Sequence, residues 1–318
     1  LKTLDVIDVQ TYAGFLLHTC VAKDDNQDMK GLSVDSEIKA NVDYTRRRKV
    51  APNHTMTHVL NFALRKVVGD DVDQKGSQVS DEKFRFDFNS KKGLTATQVK
   101  DVEKIINDII DKEVDVNNEV VPLTDAMAIK GLRAVFGETY PDPVRVVSVG
   151  PSVSALLSSP DSTEWINSSI EFCGGTHLSN TREAVACCII EETAVAKGIR
   201  RISGITGPKA KIAIERAAYL EEEVLQLSTK LQSKPDLLAL ENKAISLRAI
   251  LDEAVISQGT KSDLRCSLEV IAKTIISKKN EEMMSTVDNA LNDVKKEVEA
   301  KSKLGEKFIV LSMKLGSD

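Results

Sequence analysis

The chain has 318 residues, enough for about two domains at roughly 100–200 residues each. Hydrophobic residues make up 42% of it and charged residues 29%, a balance that excludes a wholly disordered or collagen-like chain. The net charge is −5 and the acidic excess lies before residue 208, so any contact with RNA must depend on local basic patches. The longest apolar runs fall far short of the roughly 20 residues that a membrane-spanning helix needs.

The chain begins with Leu1 and shows no signal-peptide pattern, so we expect a piece of a longer protein. Its five cysteines are odd in number and scattered, which favours a reducing compartment over a disulfide framework. We therefore expect a cytoplasmic location, with a mitochondrial or dual location as the alternative.

The first 50 residues are predicted to form a small β-barrel or sheet. Apolar residues cluster at 6–9 and 15–17, and they alternate with polar ones over 38–44. Residues 51–53 (Ala-Pro-Asn) then indicate the start of a helix, with Asn53 as its N-cap and Gly69 as its end.

Residues 51–207 are predicted to form an α+β domain. Residues 83–89 alternate phenylalanine with polar side chains, as in a strand with one apolar face. Residues 95–112 have the spacing of an amphipathic helix, and 144–149 and 184–190 are the β-branched runs of buried strands.

The composition changes at residue 208, where glycine becomes rare and apolar residues recur at spacings of three and four. Helical stretches are predicted over 213–232, 237–255 and 264–300, with breaks near Pro235 and Gly259. Together they predict an antiparallel helical or coiled-coil arm over 208–304. Residues 308–313 return to strand character, so 305–318 are predicted to be the first strand of a truncated domain.

Two short motifs carry the strongest chemical signal. His54 and His58 are four residues apart on a predicted helix, which places both imidazoles on one face. Cys173 and His177 are separated by a turn that contains two glycines. These motifs hold three of the four histidines of the chain, and three nitrogens with one sulfur suit a single tetrahedral Zn²⁺ ion.

The helical histidine pair lacks the glutamate of a zinc peptidase, because residues 55–57 are Thr, Met and Thr. The helix instead offers hydroxyl groups beside the metal. Thr57 is the candidate that would hydrogen-bond a small polar group of a substrate.

The sequence closely resembles the alanyl-tRNA synthetase family in the half that follows the aminoacylation domain. The residues of the matching segments are most similar to eukaryotic, plant-like members. The resemblance is carried by these segments: NHTMTH (53–58), DQKGS (73–77), RFDF (85–88), GLRAVF (131–136), YPDPVR (140–145), FCGGTH (172–177) and GIRR (198–201). A related domain occurs in threonyl-tRNA synthetases, but the Gly-Gly-Thr between Cys173 and His177 favours the alanine enzymes.

The resemblance implies a β-barrel, an α+β editing domain, a helical arm and the start of a tRNA-facing domain. It also implies hydrolysis of tRNA(Ala) mischarged with serine or glycine, with His54, His58, Cys173 and His177 as zinc ligands. Thr57, Gln74 and the loop from Lys75 to Ser77 would line the pocket. Gly174 and Gly175 are expected to donate amides to an oxyanion.

A second, hydrolytic site makes physical sense because a pocket sized for alanine excludes glycine and serine poorly. Four protein ligands would fill a tetrahedral shell, so the metal either anchors the substrate or loses a ligand to admit water. The alternative function is a non-catalytic tRNA-binding module with a structural zinc. No glycine-rich phosphate loop or class II adenylation motif occurs, so this chain alone is not expected to bind ATP.

Contacts with tRNA are expected at a set of polar residues. These are Arg46, Arg47, Arg48, Lys75, Ser77, Arg85, Asp87, Thr176, Arg200 and Arg201. For the basic cluster at 46–49, the alternative is a solvated strand end. For Arg85, Asp87 and the arginine pair at 200–201, it is a surface ion pair and a solvated turn.

Overall fold

The computed structural model of the chain describes residues 3–13, 15–23, 32–135, 138–233, 236–303 and 310. By internal contacts the chain divides into two units, Leu1–Asp43 and Tyr44–Asp318. In the described residues the strands are β1 Leu4–Tyr12, β2 Phe15–Ala22, β3 Gln74–Val79, β4 Phe84–Asn89, β5 Val116–Val121, β6 Val144–Val149, β7 Ser169–Phe172, β8 Cys187–Ala196 and β9 Ile199–Thr206. The helices are α1 Tyr44–Val67, α2 Ala96–Asp111, α3 Leu123–Met127, α4 Val153–Ser158, α5 Gly207–Lys230, α6 Leu237–Glu253 and α7 Gln258–Lys303.

The first unit contains an antiparallel hairpin of β1 and β2. The apolar side chains of Val6, Phe15 and Leu16 are exposed on it. The described part of the chain shows no closed barrel, because two strands cannot close one. Residues 38–43 are irregular rather than strand, so the predicted barrel and the predicted strand at 38–44 are corrected.

Helix α1 begins at Tyr44, eight residues before the proline that was taken to mark its start. Pro52 therefore lies inside the helix, and Asn53 is not its N-cap. A proline in a helix leaves one carbonyl of the preceding turn without its donor. Residues 44–49 are exposed, so water can satisfy that carbonyl. The basic cluster at 46–49 is accordingly a helical turn and not a strand end.

Two antiparallel sheets follow. The larger has the order β3-β4-β9-β8, and the smaller has the order β5-β6-β7. The alternation predicted over 83–89 is confirmed, since Phe84, Phe86 and Phe88 of β4 are buried. The helix predicted over 95–112 is confirmed as α2, which Thr95 and Gln98 begin with a capping box.

Helix α1 contacts both sheets, through β3, β4 and β9 of the larger and β7 of the smaller. Between Ala51 and Arg65 nearly every side chain is buried, including polar ones such as Asn53 and Asn61. Asn53 donates to the carbonyl of Ser80 at 2.9 Å and accepts from the hydroxyl of Thr206 at 2.7 Å. One side chain of the helix thus bonds both to the residue that follows β3 and to the last residue of β9, at the same end of the larger sheet.

The helical arm is confirmed as three helices, α5 to α7, that share one apolar core. The second break lies at 254–257, before Gly259, which belongs to the first turn of α7. The arm contacts α2, β8 and β9 of the α+β part. At α2, Glu103 accepts the hydroxyl proton of Ser257, and Lys100 pairs with Asp263.

The strand predicted over 184–190 begins later, at Cys187, because residues 181–184 form a 3₁₀ turn and Val185 adopts a positive φ of 63°. The strand predicted at 308–313 lies outside the described residues, apart from Val310. The proposed division at 50, 207 and 304 stays a prediction.

Candidate metal centre

The four predicted ligands converge, although Cys173 lies 119 positions after His54 in the sequence. His54 and His58 come from α1, while Cys173 and His177 come from the segment after β7. One ligand atom from each residue lies within 4.8 Å of the others. The Sγ atom of Cys173 is 3.5 Å from Nε2 of His54. This arrangement could hold a single metal ion, and the chemistry of three imidazoles and one thiol suits zinc.

Each imidazole has its Nδ1 atom directed at an oxygen outside the cluster. Nδ1 of His54 lies 3.2 Å from the carbonyl oxygen of Thr176, and Nδ1 of His177 lies 3.2 Å from Oγ1 of Thr55. Nδ1 of His58 faces Oε2 of Glu171 at 3.5 Å. A proton on each Nδ1 leaves each Nε2 free for a metal.

The ring nitrogen Nε2 of His177 indicates whether these residues suit a bound metal ion. It is buried and has no hydrogen-bond partner among the described residues. Leaving a buried polar atom unpaired costs about 1–3 kcal/mol. A metal ion would satisfy that nitrogen, so the residues fit zinc.

Burial sets the protonation of the cluster. Together with the neighbouring imidazoles and the Arg145 cation, it lowers the pKa of His58 to about 3 and that of His177 to about 2. Burial also lowers the pKa of His54 and raises the pKa of the Cys173 thiol. The imidazoles are therefore neutral at pH 7, which is the form that binds a metal.

Residues 173–177, the ligand segment, contain two glycines whose surroundings differ. A Cβ atom at Gly175 would lie 2.2 Å from Cε1 of His54, whereas one at Gly174 would meet nothing within 4 Å. Only Gly175 is thus required for the close approach of this segment to α1.

Arg145 of β6 fixes the backbone of the ligand segment by hydrogen bonds. Its Nη1 donates to the carbonyls of Cys173 at 3.0 Å and Gly175 at 2.6 Å. The amide of Gly175 donates to Sγ of Cys173 at 3.4 Å. In this structure that amide serves the thiol, and the oxyanion role of Gly174 and Gly175 stays a prediction.

The two threonines of the HTMTH motif have distinct partners. The hydroxyl of Thr57 is buried and donates to the carbonyl of His54 at 2.6 Å, so towards a substrate it can only accept. Oγ1 of Thr55 accepts from the amide of Leu178 at 3.0 Å and contacts Nδ1 of His177, and it thereby holds the ligand segment against α1.

Gln74, Lys75 and Ser77 lie on strand β3, so the predicted loop is corrected to a strand. Nε2 of Gln74 donates to Oγ of Ser77 at 3.1 Å, and Nζ of Lys75 lies 3.9 Å from a carboxylate oxygen of Asp73. Pairing of β3 with β4 continues through a bulge between Gln74 and Gly76.

The polar residues of the larger sheet form ion pairs. Arg201 donates to both carboxylate oxygens of Asp87, at 2.7 and 2.8 Å, and Arg85 lies 3.8 Å from the same group. The hydrogen bonds from Arg201 lower the pKa of Asp87. Arg200 donates to both oxygens of Glu192, at 2.5 and 2.6 Å. Arg200 and Arg201 thus form ion pairs on strand β9, and a role of Arg85, Asp87, Arg200 and Arg201 in binding tRNA stays a prediction.

The remaining expected contacts lie on α1 and on the ligand segment. Arg46, Arg47 and Arg48 are exposed on the first turns of α1, and Nε of Arg46 is 4.0 Å from a carboxylate oxygen of Asp81. The carbonyl of Thr176 is used by His54. Any role of these residues in binding tRNA stays a prediction.

Sequence reasoning missed Glu171, Asn61 and Arg145, which surround the ligands. None of them belongs to a spacing motif. A signal was present for Glu171 alone, as a carboxylate between two apolar residues of a short strand, Ile170 and Phe172. Burial raises its pKa to about 7, against the hydrogen bond from Asn61.

Comparison with known proteins defines the class. Residues 144–203 match the family described as the threonyl and alanyl tRNA synthetase second additional domain. That segment contains two of the four cluster residues, Cys173 and His177.

Individual relatives narrow the assignment. The chain is 45% identical over 296 residues to the alanine–tRNA ligase of Candida albicans, which is 91% of this chain and 30% of that protein. It is 42% identical over 260 residues to the cytoplasmic ligase of Dictyostelium discoideum (82% and 27%) and 44% identical over 271 residues to the mitochondrial ligase of Saccharomyces cerevisiae (85% and 27%). The chain belongs to the alanyl-tRNA synthetase family.

The chain spans about 30% of the length of these relatives. They come from fungi and a slime mould, which leaves the expected plant affinity without support. Within the described residues, no helix has the length and apolar character to cross a membrane.

Proposed function

We propose that this chain is the editing part of an alanyl-tRNA synthetase and hydrolyses the ester of tRNA(Ala) mischarged with serine or glycine. The observation that carries the proposal is the convergence of His54, His58, Cys173 and His177 within 4.8 Å, in a chain of this family. The parent protein would attach alanine to tRNA(Ala) with ATP. We propose a cytoplasmic location, with a mitochondrial or dual location as the alternative, because one relative is named cytoplasmic and another mitochondrial.

One bound Zn²⁺ would supply a Lewis acid that anchors a polar group or activates water. His54, His58, Cys173 and His177 would hold it. The attacking water would add to the ester carbonyl, and the ribose hydroxyl of the tRNA would leave with a proton. Gly174 is the candidate amide donor to the developing oxyanion, since the amide of Gly175 already serves Cys173.

Serine would be selected by Thr57. Because its own proton is engaged by the carbonyl of His54, Thr57 offers lone pairs, which match the hydroxyl proton of a seryl group. Alanine lacks that proton, so a buried acceptor would stay unpaired when alanine enters.

The tRNA would bind through exposed cations. Arg46, Arg47 and Arg48 form a helical turn on α1, the helix that also carries His54 and His58. At 1.5 Å per residue, Arg48 lies about 9 Å along the axis from His54, a span suited to a phosphate near the acceptor end. Gln74, Lys75 and Ser77 would line the pocket, and Arg200 and Arg201 would reach RNA only if they leave their carboxylate partners.

The second candidate is a non-catalytic tRNA-binding module with a structural zinc. It is favoured by one observation, the complete set of four protein donors, which is typical of closed structural sites.

Single-turnover deacylation of seryl-tRNA(Ala) separates the two candidates. We expect the zinc-loaded chain to release serine and to spare alanyl-tRNA(Ala), and Thr57→Val to slow release at least about tenfold, since one hydrogen bond is lost. Thr57→Ser keeps the hydroxyl and is the matched control. Retention of the seryl ester by the zinc-loaded chain, with RNA still bound, would support the structural module instead.

A further inference from the structure

The environment of His58 differs from that of the other two imidazoles. Nδ1 of His54 and Nδ1 of His177 face neutral oxygens, the carbonyl of Thr176 and the hydroxyl of Thr55. Nδ1 of His58 faces a carboxylate oxygen of Glu171 at 3.5 Å. Both side chains are buried, and that nitrogen has no other partner among the described residues.

Glu171 is itself held in place. Its second oxygen, Oε1, accepts a hydrogen bond of 2.8 Å from Nδ2 of Asn61. Asn61 lies three residues after His58, so both project from the same face of α1. Strand β7 delivers the carboxylate to that face, where the imidazole and the amide contact one oxygen each.

We propose that Glu171, fixed by Asn61, is a positioning residue that orients His58 toward the metal and compensates the charge of the loaded cluster. This inference rests on the proposed zinc site. Nδ1 lies 3.5 Å from the carboxylate, which favours the tautomer that carries its proton on Nδ1 and leaves Nε2 free to bind.

The charge of the zinc-loaded cluster also favours this role of Glu171. Three neutral imidazoles and one thiolate leave one positive charge of Zn²⁺ uncompensated. Arg145 acts on the cluster as a further cation, and the positive charges of Arg65 and Arg133 act on Glu171. Besides the Cys173 thiolate, Glu171 is the group among these that can carry a negative charge. A buried charge is costly unless it is paired, so removal of this anion should weaken zinc binding.

Two substitutions separate orientation from charge. Glu171→Gln keeps an acceptor oxygen for His58 and removes the charge, whereas Glu171→Ala removes both. Glu119→Gln is the matched control, because Glu119 is an exposed carboxylate on β5 of the same sheet. Zinc affinity is measured by competition with a chromophoric chelator, and the ligand field by the absorption spectrum of the Co²⁺-substituted protein.

We expect zinc to bind about tenfold more weakly to Glu171→Gln and up to about 100-fold more weakly to Glu171→Ala, the range for loss of an outer-shell partner. The Co²⁺ spectrum should change in Glu171→Ala and stay close to the original in Glu171→Gln. Glu119→Gln should match the unaltered chain in both measurements. A purely structural role would lower the melting temperature without altering the Co²⁺ spectrum.

Zinc affinities within twofold of the unaltered chain in both Glu171 variants would overturn the inference. If Glu171→Ala fails to fold, the affinity of Glu171→Gln decides alone. An unaltered chain that binds no zinc would instead refute the metal site itself, so the two failures are distinguishable.

Discussion

Helices α1 and α7 are both long, yet they bury different kinds of side chain. The centre of α1, from Ala51 to Arg65, is enclosed on all sides and includes buried polar side chains, each of which needs a partner. Helix α7 buries a stripe at Leu264, Leu268, Ile271 and Ile275 and leaves its other faces in water. Packing alone explains α7, whereas α1 also buries polar side chains and carries two histidines of the candidate metal centre.

The largest effect should come from removing a ligand on α1. We expect His58→Ala to weaken zinc binding by more than about 100-fold, beyond the range for outer-shell changes, because one of four donors is lost. Zinc content per chain after dialysis, measured by atomic absorption, checks this. The matched control is His18→Ala, since His18 is an exposed histidine of β2 outside the cluster. Equal zinc content in both variants would contradict the assignment.

The ligand segment can be tested with two glycines. Gly175→Ala places a Cβ atom against the ring of His54, so we expect zinc affinity to fall at least about tenfold as that ring is displaced. Gly174→Ala enters open space and should leave affinity within about twofold. Chelator competition measures both, and a similar loss in the two variants would show that the close approach of Gly175 is unimportant.

A substitution in the helical arm should have the opposite effect, a loss of stability without a loss of zinc. Leu268→Ala removes a buried side chain of α7 and should lower the free energy of unfolding by about 2–5 kcal/mol while zinc stoichiometry is unchanged. Urea unfolding and zinc analysis of the same samples give both values. Loss of zinc from the folded variant would mean that the two regions are not independent.

The contact between α2 and the helical arm should make the stability of the fold depend on pH, because it involves the carboxyl group of Glu103. Burial raises the pKa of Glu103 from 4.5 to about 7, against hydrogen bonds from Ser257 and the amide of Ile189. The folded state therefore holds a proton that the unfolded state releases between these values, and this group destabilises the fold as pH rises from about 4.5 to about 7.

Glu103→Gln removes that titration. Relative to the unaltered chain, we expect the variant to gain stability as pH rises over this range, by up to about 3 kcal/mol. Urea unfolding of both zinc-free proteins at several pH values checks the difference, in which the other titrating groups cancel. A difference that does not vary with pH would contradict the buried, protonated state of Glu103.

The sequence predicted the ligands and the arm for separate reasons. Histidines are rare in this chain, so three of them within two short motifs were informative without any structure. The arm followed from apolar periodicity, which depends on local spacing alone.

What the sequence did not predict depends on register and on tertiary contacts. The pairing of Asp87 with Arg201 needs the antiparallel register of β4 and β9, where these residues are direct partners. Glu171 reaches His58 only because β7 packs on α1. The start of α1 was misplaced because Pro52 usually marks a helix start, and the exposed turn before it tolerates the exception.

X-ray absorption spectroscopy of the zinc-loaded protein identifies the atoms that bind the metal. Three nitrogen neighbours at about 2.0–2.1 Å and one sulfur neighbour at about 2.3 Å are the expected result, and the sulfur signal should vanish in Cys173→Ser. A zinc shell without sulfur in the unaltered chain would contradict the account.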